Sequence, residues 1–201
     1  MSLLLIAGSP SERSRSGALL ESVGARLRHH LGQQAAIEQI AVRDLSPHAL
    51  LLAEAAHPNV AQALVQVRRA RVVIIATPVY KAAYSGLLKV FLDLLPQDGL
   101  KGKTVLPLAT GGSAHHMLAL DYALRPVLQA LGASQVLPGI YASDAQVVLH
   151  PGGGHALQPE VAQRIDEAVL GLIDPPSPPL RHLRPLTDAP IGHAEPWRCR
   201  A

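Results

Sequence analysis

Short apolar runs alternate with stretches of helical periodicity along most of the chain. Leu3–Ala7 is an apolar run closed by Gly8-Ser9-Pro10, the pattern of a buried strand stopped by a turn. Behind Ser16, the residues Leu19, Leu20, Val23 and Leu27 recur at helical spacing, which predicts a helix starting near Ser16. Ala35–Ala41 alternates weakly and reads as a second strand. Val60, Leu64 and Val67 mark another helix, and it leads into Val72-Val73-Ile74-Ile75-Ala76. That β-branched run, bounded by Thr77-Pro78, is the strongest strand signal in the sequence. Leu87–Leu95 follows as a helix, and Lys103–Ala109 as a buried strand closed by Thr110-Gly111-Gly112-Ser113. A helix from about His115 to Leu131 is expected to carry Leu118, Tyr122 and Leu128 along one side. Gln135–Tyr141 reads as a fifth strand in which Pro138 demands an edge or an irregularity, and Glu160–Ile173 is a last amphipathic helix.

Strands alternating with helices predict a parallel sheet covered on both faces, an α/β three-layer sandwich. Five strands fit the flavodoxin-like order rather than the six-stranded dinucleotide fold. Residues 1–174 form this domain. Residues 175–201 are a Pro-rich C-terminal tail without periodicity, expected to be mobile or to dock on a partner subunit.

Composition narrows the function. Hydrophobic residues make up 48% and charged ones 16%, which excludes an intrinsically disordered chain. The single cysteine, Cys199, excludes an internal disulfide framework or a multi-cysteine metal site. No apolar run approaches a membrane span, and Met1–Ala7 lacks the basic start of a secretory signal, so a cytoplasmic protein is expected. The net charge of +3 invites a nucleic-acid reading. Much of that excess sits in the tail, where Arg181, Arg184, Arg198 and Arg200 face only Asp188 and Glu195, and the other bases are scattered. An aromatic content of 3% also argues against stacked-base recognition.

In an open parallel sheet, ligands bind beyond the carboxyl ends of the strands. Three loops there carry chemistry. Gly8–Gly17 offers four serine hydroxyls, Arg13, Arg15 and a helix N-terminus, the ingredients of a phosphate site. It matches neither GxGxxG nor the P-loop spacing, and a polar loop with Ser16 as a helix cap is the plain alternative. Thr77–Gly86 places Tyr80 and Tyr84 beside Pro78 and Val79, a surface for a flat aromatic ligand. Tyr84 fits equally well as a core residue. Thr110–Ser113 supplies glycines that let backbone N–H groups approach a ring edge. A phosphate at one end and one flat ring at the other suit a flavin mononucleotide.

The chain resembles the NADPH-dependent FMN reductases of bacterial alkanesulfonate assimilation, which have the flavodoxin-like fold. The resemblance is carried by AGSPSERSRSGALLE (Ala7–Glu21), ATPVYKAAYSGLLK (Ala76–Lys89), LDLLP (Leu92–Pro96) and LPLATGGSAHHMLALDYALRPVLQALGA (Leu106–Ala133); it fades from His150 onward. It implies that NADPH reduces FMN and that the reduced flavin passes to a separate monooxygenase that desulfonates organosulfonates. It further implies that Ser9, Ser14, Arg15 and Ser16 contact the FMN phosphate. Pro78, Val79, Tyr80 and Lys81, with Gly111, Gly112 and Ser113, would frame the ring. Tyr122 corresponds to a tyrosine that distorts its helix and packs across a tetramer interface.

Hydride transfer between stacked rings needs orientation rather than a side-chain acid, so no residue is assigned a catalytic role. The histidine pairs His29-His30 and His115-His116 diverge by about 100° on a helix and suit no shared metal ion. Two rival functions stay open: an FMN-retaining quinone or azo reductase, and a flavodoxin-type electron carrier. Carriers of that type are strongly acidic, unlike this chain. No separate dinucleotide fingerprint accompanies the serine loop.

Overall fold

The computed structural model describes residues 2–32 and 35–174; the proposed tail lies outside the described residues. Five chain segments build one parallel sheet. β1 (Ser2–Ala7) pairs with β2 (Ala36–Ala41) on one side and β3 (Val72–Tyr80) on the other. β5 (Thr104–Gly111) extends the sheet beyond β3, and β6 (Gln135–Val136) and β7 (Ile140–Ser143) both pair with β5. The resulting order, β2-β1-β3-β5-β6, is flavodoxin-like, with ligand-binding ground where the winding reverses between β1 and β3.

The fifth strand is interrupted where the sequence required it. Leu137-Pro138-Gly139 separates β6 from β7 because proline cannot donate to the ladder. The exposed edge is shielded by arginines. Arg125 donates to the carbonyls of Val136 and Leu137, and Arg164 to that of Tyr141. Edge acceptors are thereby occupied, which discourages pairing with another chain.

Alternation along the strands splits the core into two layers. Leu3, Leu5, Val72, Ile74 and Leu106 face α1 (Arg15–Leu31) and α6 (Pro159–Ile173). Leu4, Ile6, Val73, Ile75 and Val105 face the opposite layer, with α3 (Pro58–Arg69), α4 (Gly86–Leu92) and α5 (Arg125–Ala130). α2 (Pro47–Leu51), too short for a periodic signal, joins this second layer through Leu50. β3 is buried from Val72 to Val79 and only Tyr80 emerges, as a central strand covered on both faces must be. Lys103 is also buried. Its Nζ donates to the carbonyls of Arg68 and Ala70 at 2.9 and 2.7 Å, closing the C-terminus of α3, and desolvation lowers its pKa.

Three boundaries differ from the sequence expectation. α1 begins at Arg15, so its cap is Ser14, whose Oγ accepts from the N–H of Gly17 at 3.0 Å; Ser16 is buried inside the first turn. The expected loop after the third strand is instead the end of β3, which turns back through β4 (Ala83–Tyr84) as an antiparallel hairpin. The expected helix from His115 to Leu131 is composite. A 3₁₀ turn covers Ala114–Met117, a π-helical turn covers Leu120–Leu124, and α5 completes it. Leu118, Tyr122 and Leu128 do not share a side: even at the regular 100° per residue Leu128 lies about 120° round from Tyr122. Leu120, Leu124 and Leu128 are buried, whereas Leu118 and Tyr122 are 54% and 79% exposed. No described helix is long and apolar enough to cross a membrane.

Candidate functional site

The serine loop folds over the carboxyl end of β1. Ser9 is buried and its Oγ accepts from the N–H of Ser11 at 3.1 Å. Ser14 and Ser16 place their hydroxyl oxygens 3.4 Å apart at the start of α1. Hydroxyls and the orphan N–H groups of the first helical turn thus converge, an arrangement suited to a phosphate.

Both arginines of this loop are occupied by the protein itself. The Nε of Arg15 donates to the carbonyls of Asp144 and Val147 at 3.2 and 3.1 Å, and its Nη1 lies 3.8 Å from the Asp144 carboxylate. The Arg13 guanidinium donates to the carbonyls of His150 and Pro151. These carbonyls belong to the segment around β8 (Val147–Leu149) and β9 (His155–Leu157), a hairpin that the sequence reading did not identify. Gly153 and Gly154, at φ +101° and +76°, supply the left-handed residues that its tip requires. Their clustering after Val147-Val148-Leu149 was the available sequence signal.

The opposite end is built on the β3–β4 hairpin. Val79 pairs with Tyr84 and Tyr80 with Ala83, leaving Lys81 and Ala82 at the turn with φ of +49° and +62°. Two positive φ values are what a tight primed hairpin turn demands, and neither residue is a glycine. Such strained positions cost of order 1–3 kcal/mol each and cluster at functional sites. Tyr80 stands 49% exposed at the rim; Tyr84 is half-buried and packs on the core, with burial raising its pKa.

Gly111 and Gly112 close the third side. Gly111 ends β5, so this edge is strand rather than loop. The Tyr141 hydroxyl donates to the carbonyls of Gly111 and Ser113, and burial raises its pKa, which keeps the proton in place. Beside Gly111 the Nδ1 of His116 is buried with no hydrogen-bond partner among the described residues. Tyr141 was not read as a site residue and His116 was weighed only as half of a metal pair, because nothing in local pattern marks a residue that supports a neighbouring loop.

A cleft of about 220 Å³ joins the three ends. Ser9, Ser14, Arg15 and Ser16 line it from one side, Pro78, Val79 and Tyr80 from another, and Gly111 and Gly112 from the third. Lys81 and Ser113 are not among the lining residues. Lys81 sits in the hairpin turn, and the Ser113 side chain caps the 3₁₀ turn by accepting from His115 N–H. Ser11, Arg13, Thr110, Asp144 and Leu149 also line the cleft. The residues fit FMN: a buried hydroxyl cradle stands at one end, and an apolar strand edge opposite side-chain-free glycines stands at the other.

One of the two loop arginines gives a direct test. Arg15→Ala is expected to weaken FMN binding by about 1.5–3 kcal/mol, the scale of a hydrogen bond to a charged group, and riboflavin binding much less. Fluorescence titration of both flavins checks this; equal losses would assign Arg15 only to holding Asp144 and Val147.

Residues 1–147 match the family of NADPH-dependent FMN reductases. An FMN reductase (NADPH) from Escherichia coli K12 is 47% identical over 148 residues, 74% of this chain and 76% of that protein. Its namesake from Pseudomonas putida KT2440 is 50% identical over 154 residues, 76% of each chain. A crystal structure of an apo NADH:FMN oxidoreductase superposes with a TM-score of 0.76 at 38% identity, covering 94% of this chain and 99% of that one. On sequence and on fold alike, this chain belongs to the NADPH-dependent FMN reductase family of oxidoreductases.

Proposed function

We propose that this FMN reductase uses FMN as an exchangeable substrate and hands the reduced flavin to a separate flavin-dependent monooxygenase, of the class that desulfonates alkanesulfonates for sulfur assimilation. NADPH is the electron donor, and the working form is a cytoplasmic homotetramer. The observation that carries the exchange is the occupation of Arg13 and Arg15 by protein carbonyls and Asp144. With Arg13 taken up, the phosphate is left to hydroxyls, backbone N–H groups and the terminal nitrogens of Arg15 alone, a hold compatible with release.

FMN supplies the hydride acceptor, and the protein supplies orientation. Pro78, Val79 and Tyr80 would hold one side of the ring. Backbone N–H groups near Gly111 and Gly112 would offset negative charge developing on its polar edge. Steady-state NADPH oxidation with and without added FMN is the test. Purified protein should be nearly colourless, with oxidation saturating in FMN. A stoichiometric yellow flavin that survives desalting would favour an FMN-retaining quinone or azo reductase. Loss of steady-state NADPH oxidation would favour an electron carrier.

Met117, Leu118 and Tyr122 support the tetramer reading, since all three are more than half exposed in the single chain and lie close together in sequence. Tyr122→Ala is expected to lower the assembly state while leaving the flavodoxin-like core folded, and to change flavin retention through the adjoining glycine edge. Sedimentation at wild-type mass together with wild-type FMN release would refute both effects.

A further inference from the structure

On the other flank of the serine loop lies a second cleft, of about 430 Å³, between the carboxyl ends of β1 and β2, α1 and the β8–β9 hairpin. Ser9, Ser11, Arg13, Ser14 and Leu149 line both clefts, so the two adjoin across the loop. Arg13 from the loop, Arg28 from α1 and Arg43 from just past β2 bring three guanidiniums to it from three elements.

Their engagement differs. Arg13 is taken up by the His150 and Pro151 carbonyls. Arg43 meets Asp44 through Nε at 3.1 Å, and its two terminal nitrogens have no partner among the described residues. Arg28 makes no ion pair among the described residues. Two carboxylates, Glu12 and Glu21, also line the cleft, and Glu21 lies 3.7 Å from His155 Nδ1. Glu12, Glu21 and the Asp44 carboxylate on Arg43 balance the three guanidiniums in number, but Arg28 and the terminal nitrogens of Arg43 stay free of partners among the described residues and available to an anion. The guanidinium fork matches phosphate geometry in particular.

We propose that this cleft binds the 2′-phosphoadenosine end of NADPH, with Arg28 and Arg43 reading the 2′-phosphate. The inference rests on the flavin reading of the adjoining cleft. Because Ser9, Ser11, Arg13 and Ser14 line both clefts, a dinucleotide with its nicotinamide on the flavin ring would reach this cleft with its adenosine end across the serine loop. In the six-stranded dinucleotide fold an arginine accommodates the ribose 2′-phosphate, and Arg28 and Arg43 offer the same guanidinium chemistry on this differently ordered sheet. Donor choice then resides in a patch separate from the residues that frame FMN, which explains why no dinucleotide fingerprint accompanies the serine loop.

The test compares KM for NADPH, NADH and FMN in the full chain and in Arg28→Ala, Arg43→Ala and the double variant. Each single change is expected to raise the ratio of NADPH KM to NADH KM by roughly ten- to a hundredfold, the scale of one charge-assisted contact. Calorimetry without flavin supplies a second readout, in which 2′,5′-ADP should bind the wild type more tightly than 5′-AMP and lose that advantage in the variants. Equal shifts for both nicotinamide donors, an unchanged ratio, or a shift confined to FMN KM overturns the proposal; the last would assign the cleft to a flavin phosphate. If FMN reduction is absent while 2′,5′-ADP binding still depends on Arg28, the nucleotide cleft stands and the flavin reading falls.

Discussion

Gly111→Ala is expected to lower stability by about 1–3 kcal/mol, the usual cost of overpacking, and to raise the KM for FMN by roughly tenfold or more. A Cβ at this position would stand 3.0 Å from both His116 Nδ1 and the Tyr141 hydroxyl oxygen, and 3.3 Å from Val79 Cβ. These neighbours come from three elements and have little freedom to yield. Tyr141 is held by its hydrogen bond to the Gly111 carbonyl at 2.9 Å, and Val79 by its pairing with Tyr84. The strand end must therefore shift, and it forms one side of the cleft proposed to hold flavin. Raised by burial, the Tyr141 pKa lies above the ordinary tyrosine value. The stability its hydroxyl contributes is thus fully present below that ordinary value, about 10, and is lost only as pH rises through the higher folded one. Thermal melts and FMN kinetics check the prediction; a variant with wild-type KM would show that the glycine edge takes no part in holding flavin.

Ser85→Ala should prove more damaging to the fold, by about 2–3 kcal/mol, from a lost helix cap and a lost buried hydrogen bond. Ser85 is 1% exposed. Its Oγ accepts from Leu88 N–H at 3.1 Å, capping α4, and donates to the Gly8 carbonyl at the head of the serine loop. Its backbone N–H donates to Thr77 Oγ1 at 3.0 Å. One residue thus ties the serine loop to the end of β3, the two sides of the cleft proposed to hold the flavin phosphate and ring. The variant should weaken FMN and riboflavin alike, in contrast to Arg15→Ala, which acts through the phosphate. An unchanged melting temperature, or a loss restricted to FMN, would contradict this role.

The central strands were legible because burial on both faces leaves an unmistakable apolar run, as in Val72–Ala76, and because Thr77-Pro78 and Gly8-Ser9 mark where ligands approach. Ser9, Pro78, Val79, Tyr80, Gly111 and Gly112 reach the cleft because they lie at or just past the ends of those strands, and the sheet carries them there whatever their side chains do. Ser14 rather than Ser16 caps α1, since a cap depends on where the backbone enters the helix, and a two-residue ambiguity is invisible in a loop holding four serines.

What the sequence determined by itself is the parallel sheet and the three segments that meet at its edge, because these rest on local periodicity and on chirality rules that do not depend on distant partners, while its order followed from the number of strands. Tertiary structure alone decided the rest. Arg15 is drawn to Asp144 and Val147, and Arg13 to His150 and Pro151, across more than a hundred residues of chain. The π turn at Leu120–Leu124 interrupts a stretch whose Leu120, Leu124 and Leu128 are already spaced for one α-helical face, so no period in the sequence announces it. Hydrogen bonds and packing between residues far apart in sequence leave no period to read, so the supports of the site, unlike its strands, appear only once the chain has folded.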